Sequence, residues 1–434
     1  MPNDIRVTEI AEQFRFVAAP TEKFKSSVIQ LNFLLPMPFG DTKAVAAHAL
    51  LPGLLKRSCA KFPTARLMEC RLADLYGASL AGGSAPMGEA QLLSIYISAL
   101  ENRYALTNEE ITAGCSELLL ELLLRPNLID GLFNVDALEL EKRLLTERIE
   151  SEKGNKAAFA RRRLLAEMCD GEAYGMDPRG TVEAISALTP TDMKEAWEET
   201  LRCAPAICVM VSSDGFEFVE SKLREGFAAI NRKPVQPETL YVTAPKGEIK
   251  YVRETQEVEQ GKLVMGFRLG MADKDDRWLA MRLALTIFGG GVYSGLFRNV
   301  REKLSLCYYC SARPHRYKGI ALVESGVDTL KEDEAKTAIL NELSYIQQGL
   351  FEDSLIEDAK RDIADGLQRA ADSPEIIADW YARQICESNL ESPAAYEARI
   401  NAVTLEEVLD AAQGIRLDTV YFLASANAGE EEVQ

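Results

Sequence analysis

The sequence predicts an α+β protein made of two homologous halves, and three observations lead to this fold class. The first is an internal repeat with an offset of about half the chain. The second is the order of the predicted elements, in which strands and helices do not alternate strictly as they do in a doubly wound parallel sheet. The third is the composition: 47% hydrophobic and 27% charged residues is an ordinary globular balance and argues against a disordered or fibrous chain.

The repeat is clearest where ISALTPTDM (185–193) corresponds to INAVTLEEV (400–408). In each copy a threonine precedes a helical stretch with acidic residues in its first turn, which is the pattern of a helix N-cap. Each predicted helix is followed by an apolar, β-branched segment, AICVMVSS (206–213) or TVYFLASA (419–426). We expect both segments to be buried strands.

The repeat extends towards the start of each half. Alternating strands are predicted at 27–35 and 262–269, each followed by a turn and an apolar helix. Long helical stretches, Leu138–Cys169 and Asp353–Ser388, precede the last strands.

The segment 231–239, NRKPVQPET, has two prolines and no apolar periodicity, so we interpret it as a linker. The predicted halves are therefore residues 1–230 and 240–434. The acidic tail, AGEEEVQ (428–434), is predicted to be frayed.

Charge and histidine content exclude several functions. The net charge of −18 argues against nucleic acid and anionic membranes as partners. The only two histidines, His48 and His315, are too far apart in the sequence for any local zinc motif with two histidines. His48 lies in an apolar helix and is predicted to be a core residue, and His315 lies in a polar turn.

The nine cysteines are odd in number and scattered, and no signal-peptide run or membrane span is apparent. The sequence therefore predicts a cytoplasmic protein with reduced thiols. Cys307 and Cys310 form a C-x-x-C motif, but it lies on a predicted strand. Because strand residues three apart point to opposite faces, this spacing argues against a disulfide or a shared metal.

A longer motif, GGGVYSGLFRNVREKLSLCYYCSA (289–312), resembles the C-terminal signature of the pitrilysin/insulinase family of zinc peptidases. The YGA turn at 76–78, the DPRG segment at 177–180 and the repeated helix starts also fit that family. The resemblance covers nearly the whole chain. It implies two homologous halves closing like a clam around a chamber, each with a mostly antiparallel sheet and helices on one face.

Active members of the family bind zinc through H-x-x-E-H on the first helix and a downstream glutamate. In this chain the matching positions are Gly53, Lys56 and Arg57, none of which can act as the family's ligand or base. The downstream position falls on Glu147 or Arg148, and the sequence does not fix which. The resemblance therefore implies an inactive paralogue with an erased metal site and no zinc of its own.

The family's second functional element is an arginine followed seven residues later by a tyrosine, and these match Arg301 and Tyr308. A guanidinium and a phenol are suitable donors for a polarised carbonyl. The segment 80–87, LAGGSAPM, matches the edge strand that takes a peptide by β-addition, which makes Leu80 and Ala81 candidate peptide contacts. Its glycines and Pro86 predict either a bulged edge or weaker peptide capture.

The resemblance implies a non-catalytic subunit that forms a peptide-binding chamber with a zinc-bearing sibling peptidase. The alternative is a stand-alone peptide-binding or scaffold protein without peptidase activity. A homodimer is also open, and the sequence offers no organised nucleophile and base for unrelated chemistry.

Overall fold

The computed structural model describes residues 5–245 and 247–426, and it has the predicted α+β class with two sheet-containing halves. The predicted tail at 428–434 lies outside the described residues. The strands are β1 (Arg6–Ala11), β2 (Phe14–Pro20), β3 (Ser26–Pro36), β4 (Ser79–Met87), β5 (Ala90–Leu100), β6 (Leu128–Ile129), β7 (Leu132–Phe133), β8 (Ala206–Ser212), β9 (Lys250–Gln256), β10 (Gly261–Arg268), β11 (Cys307–His315), β12 (Ile320–Val327) and β13 (Arg416–Ser425).

The helices cover much of the remaining chain. They are α1 (Thr42–Leu55), α2 (Ala65–Asp74), α3 (Ile111–Leu124), α4 (Val135–Glu152), α5 (Lys156–Met168), α6 (Val182–Ser186), α7 (Pro190–Cys203), α8 (Phe216–Phe227), α9 (Trp278–Gly289), a π-helix (Leu296–Lys303), α10 (Glu332–Gln347), α11 (Ser354–Ala370), α12 (Pro374–Ala382), α13 (Pro393–Ala402) and α14 (Leu405–Ala412).

The chain divides into two compact units, and each unit includes one segment from the opposite part of the sequence. The first unit comprises the residues up to Arg148 with Asp177–Glu238 and Leu367–Ala395. The second comprises Ile149–Met176, Thr239–Gly366 and the residues from Tyr396 onward. In the second unit α5 packs on β10 and β13, whereas in the first unit α12 packs on β8 and β3.

The two sheets share one topology, which is the structural form of the repeat. The first has the order β1-β2-β8-β3-β5-β4, and the second, over the described residues, has the five-stranded order β11-β12-β10-β13-β9. In each sheet the last strand, β8 or β13, lies between a parallel neighbour, β2 or β9, and an antiparallel one, β3 or β10. The two predicted buried strands are therefore confirmed, and they occupy equivalent central positions in the two sheets.

Both predicted helix starts are capping boxes. The Thr189 hydroxyl accepts from the backbone N–H of Asp192, and the Asp192 carboxylate accepts from the backbone N–H of Thr189. Thr404 and Glu407 make the same reciprocal pair at the start of α14. Each box satisfies two of the backbone N–H groups that a helix start leaves unpaired.

The two long helical stretches predicted from the sequence are wrong as single helices. The first breaks at Gly154 into α4 and α5, because Asn155 caps α5 through its side chain. The second breaks before α12, where Ser373 is the N-cap and Pro374 occupies the first helical position. These breaks let each stretch contribute one helix to each unit.

Candidate functional site

The end of α1 carries the three positions that match the family's metal motif. The helix begins at Asp41, whose carboxylate accepts from the Ala44 N–H at 2.9 Å. Gly53 lies in the last turn, Lys56 is the C-cap and Arg57 follows it. All three are therefore held by one helix terminus, in the register of H-x-x-E-H.

A partly buried ion pair fills the space beside these positions. The Arg57 Nε donates to the Glu141 Oε1 at 2.5 Å, and the Glu141 side chain is only 7% exposed. A Cβ atom at Gly53 would collide with the other oxygen of the same carboxylate. The carboxylate of Glu141 thus lies against positions 53 and 57 together, and the Arg57 guanidinium neutralises it.

The acid at this site is Glu141, which sequence reasoning missed. Glu147 is exposed and pairs with Arg143 on the surface of α4, at 3.7 Å, and Arg148 is also exposed. The available signal was helical periodicity: Glu141 lies on the buried face of α4 together with Leu138 and Leu145. A carboxylate on an apolar helix face needs a partner, and here Arg57 supplies it.

His48 takes no part in this cluster. Its side chain is buried on α1, and its Nε2 lies 3.5 Å from Oε2 of Glu199 on α7. A hydrogen bond from His48 lowers the pKa of Glu199 below its usual value. His48 is therefore a core residue, as predicted.

Over residues 5–245 and 247–426, no three His, Cys, Asp or Glu side chains are grouped so that they could hold a metal ion.

The candidate peptide strand is regular. β4 is the edge strand of the first sheet, and its pairing with β5 runs from Ser79 to Met87 without a register shift. Of the two alternatives for the glycines and Pro86, the bulge is therefore wrong. Leu80 and Ala81 are half-buried on this edge, and a Cβ at Gly82 would lie 3.3 Å from Pro52 of α1.

Arg301 and Tyr308 lie in the second unit at the junction of the π-helix and β11. The guanidinium carbon of Arg301 lies 4.4 Å from the centroid of the Phe297 ring, a cation–π contact within the π-helix. Tyr308 is 77% exposed at the start of β11, an edge strand of its sheet. Tyr308 is therefore at the surface of this unit, and Arg301 is half-buried.

The start of β11 also corrects the expectation for Cys307 and Cys310. Cys307 pairs with Val327 and Cys310 with Ser325, so three steps along β11 match two along β12. This β-bulge brings both cysteines to one face of the sheet, where their thiols are hydrogen-bonded to each other. The predicted opposite orientation is wrong because the spacing rule holds only for a regular strand.

His315 lies at the other end of β11 rather than in the polar turn that the sequence predicts. Its Nδ1 is hydrogen-bonded to the Tyr174 hydroxyl at 2.6 Å. Burial, reinforced by the charges of Arg161, Arg313 and Arg162, lowers the pKa of His315 to about 4. The imidazole is therefore neutral at physiological pH.

Known proteins resemble this chain along most of its length. Residues 188–363 match the family model described as "Peptidase M16 inactive domain". A protein of Bacillus subtilis (strain 168), described as "Probable inactive metalloprotease YmfF", is 27% identical over 404 residues, which cover 93% of this chain and 94% of that protein.

Two solved structures show the same fold. A conserved protein from Enterococcus faecalis V583 is similar with a TM-score of 0.86 and 23% identity, over 98% of this chain and 99% of that one. A peptidase M16 inactive domain from Pseudomonas fluorescens is similar with a TM-score of 0.80 and 16% identity, over 98% of both chains.

None of the helices within residues 5–245 and 247–426 combines the length and hydrophobicity that a membrane span needs.

Proposed function

Because the chain is similar to inactive M16 peptidase-like proteins, as its resemblance to the pitrilysin/insulinase family implies, we propose that it is a catalytically silent subunit that binds peptide beside a zinc-bearing sibling peptidase. The chain is an M16-like protein of the inactive kind. We further propose that it pairs with a sibling peptidase and that it binds a peptide within that pair.

The observation that carries the proposal is the pairing of Arg57 with Glu141. In an H-x-x-E-H register, histidines at positions 53 and 57 would face this carboxylate and complete a three-ligand zinc site. Here position 53 has no side chain, and a permanent cation occupies the remaining space at 2.5 Å from the carboxylate. Because the Arg57 guanidinium carries a positive charge against the carboxylate, it repels a dication from this site.

The peptide-facing residues support a binding role. The Arg301 guanidinium can only donate hydrogen bonds, whereas the Tyr308 phenol can both donate and accept. Both groups can therefore donate to the carbonyl oxygens of an extended peptide. The stacking of Arg301 on Phe297 restricts its guanidinium, so less side-chain entropy is lost when it binds. The unbulged edge of β4 offers main-chain groups to an added strand, a second mode of peptide capture.

In the proposed pair the chemistry belongs to the sibling, whose zinc would activate a water molecule for attack on the peptide carbonyl. This chain's part is to hold and polarise the peptide. Arg301 and Tyr308 would donate to the carbonyl oxygen that gains negative charge, a contribution that strengthens as the charge develops.

We expect Arg301→Ala in the reconstituted pair to lower kcat/KM for peptide cleavage by roughly 10- to 100-fold, and Tyr308→Phe by roughly 10-fold, since each removes one donor. The measurement is steady-state hydrolysis by the sibling mixed with each variant. Lys303→Ala and Tyr345→Phe are matched controls, because both side chains are exposed nearby on the same unit, and they should leave kcat/KM unchanged.

The partner is tested separately by capturing the natural chain from native cells. Recovery of a zinc-bearing M16 sibling supports the proposal. If only unrelated proteins are recovered and Arg301→Ala leaves cleavage by the sibling unchanged, the stand-alone scaffold is favoured and the two residues are removed from the site.

A further inference from the structure

The bulge at the start of β11 places two thiols together on an edge strand. Val327 and Ser325 are two residues apart on β12 and therefore point to the same face, and their partners Cys307 and Cys310 point there too. In a regular strand these cysteines would lie on opposite faces. The single extra residue in β11 thus places the two thiols on the same face of the sheet.

The neighbouring strand holds this bulge in place. The Ser325 hydroxyl donates to the backbone carbonyl of Tyr309 at 3.0 Å, inside the bulge. On the opposite face, Gly326 leaves room for the Tyr309 ring: a Cβ there would lie 2.8 Å from Cε1 of Tyr309 and 2.5 Å from Oε1 of Gln260. The bulge is therefore fixed by contacts on both faces of the sheet.

The two thiols have different environments. Cys310 is 5% exposed, whereas Cys307 is partly open to solvent. The hydrogen bond from Cys310 lowers the pKa of the Cys307 thiol to about 7, with smaller help from Ser325 and the positive charge of Arg301. The same hydrogen bond and burial raise the pKa of Cys310. Cys307 is thus the accessible thiolate and Cys310 its protonated neighbour, the arrangement of an attacking and a resolving cysteine.

We propose that Cys307 and Cys310 form a hydroperoxide-sensitive dithiol that closes reversibly to a disulfide across the bulge. The Cys307 thiolate attacks one oxygen of a hydroperoxide, and the O–O bond breaks to give a sulfenic acid. The departing alkoxide, or hydroxide when the oxidant is hydrogen peroxide, takes up from the solvent the proton that the Cys307 thiol had released, and leaves as an alcohol or as water. The Cys310 sulfur then attacks the Cys307 sulfur, and the S–O bond breaks. The departing hydroxide takes the Cys310 proton and leaves as water, so two thiols lose two electrons in total.

The test uses the full chain and hydrogen peroxide. After one equivalent of peroxide, we expect a mass lower by about 2 Da that dithiothreitol restores, with peptide mapping that joins Cys307 to Cys310. Alkylation of Cys307 by iodoacetamide in the reduced, folded chain should reach half its maximal rate near pH 7. In Cys310→Ala that midpoint should rise by at least about one pH unit, because the hydrogen-bond donor is gone.

Two conservative variants separate the roles of the thiols. In Cys310→Ser, peroxide should leave a sulfenic acid at Cys307 that dimedone traps, and no disulfide. In Cys307→Ser, Cys310 should stay reduced because it is buried. The exposed Cys70 is an internal reference for accessibility alone.

The proposal is overturned if the natural chain keeps Cys307 and Cys310 as free thiols while Cys70 is oxidised. It is equally overturned if Cys307 proceeds to sulfinic acid without a link to Cys310. Neither result bears on peptide binding, so this inference and the proposed function can fail independently.

Discussion

A variant that combines Gly53→His, Lys56→Glu and Arg57→His is expected to bind about one zinc ion per chain with a dissociation constant below roughly 1 μM. The three changes restore H-x-x-E-H on α1, and Glu141 already lies against positions 53 and 57. Removing Arg57 frees the carboxylate, which can then move aside for the new histidine at 53. Zinc content after dialysis, measured by atomic absorption, gives the result.

Two further changes in this triple variant identify the third ligand. Adding Glu141→Ala should weaken zinc binding by roughly 100-fold or more, because two histidines alone make an incomplete site. Adding Glu147→Ala is the matched control and should leave affinity unchanged, since Glu147 is exposed and pairs with Arg143. Loss of zinc on removal of Glu147 rather than Glu141 would show that the assigned register is wrong.

Arg268→Met is expected to lower the free energy of unfolding by about 3–5 kcal/mol, because it removes a buried cation that two buried carboxylates share. Arg268 is fully buried in the second unit, where its Nη2 lies 2.8 Å from Oε1 of Glu172 and its Nε 3.1 Å from Oδ2 of Asp418. Lys318, also fully buried, contacts the other oxygen of Glu172 at 2.5 Å. Urea unfolding of the natural chain and the variant measures the difference.

Arg277→Met is the matched control for this change. Arg277 is exposed and pairs with Asp275 at 3.2 Å on the surface of the same unit, so its loss should cost less than about 1 kcal/mol. A cost for Arg268→Met no larger than that of the control would contradict the assigned role of the buried cluster.

The same cluster predicts a loss of stability in acid. Burial raises the pKa of Glu172, but the hydrogen bonds and charges of Lys318 and Arg268 outweigh it and hold that pKa below its usual value. A lowered pKa in the folded state means that this contribution is fully present above the ordinary glutamate pKa, about 4.3, and is lost as the pH falls through the lower value. Arg268→Met should therefore reduce the acid dependence of unfolding.

Much of the fold follows from local sequence signals. Thr189 and Thr404 start helices because each is followed three residues later by an acidic residue. The two residues of each pair hydrogen-bond each other's backbone N–H, so this signal lies within one helical turn. The over-long helices show the limit of such signals. Helical periodicity continues across Gly154 and Ser373, and where the chain breaks depends on which sheet each helix packs against.

The candidate sites are less predictable from the sequence than the fold, because they depend on contacts between residues that are distant in the chain. Gly53 and Arg57 follow from the family resemblance, whose H-x-x-E-H motif has a fixed spacing on one helix. Glu141 was missed because the number of residues between α1 and α4 does not determine which residues of the two helices face each other. Only the packing of the folded chain brings the Glu141 carboxylate to Arg57. The Cys307–Cys310 bulge was missed because it depends on Gly326 and Ser325 of the neighbouring strand.

The central claim, that the metal site of this M16-like chain is closed by Arg57 and Glu141, is tested most directly by the zinc content of the natural chain. The purified chain is incubated with excess zinc, dialysed, and assayed for metal and for hydrolysis of unstructured peptides with and without a chelator. We expect less than about 0.1 zinc per chain and no chelator-sensitive cleavage. About one zinc per chain with chelator-sensitive cleavage would contradict the account.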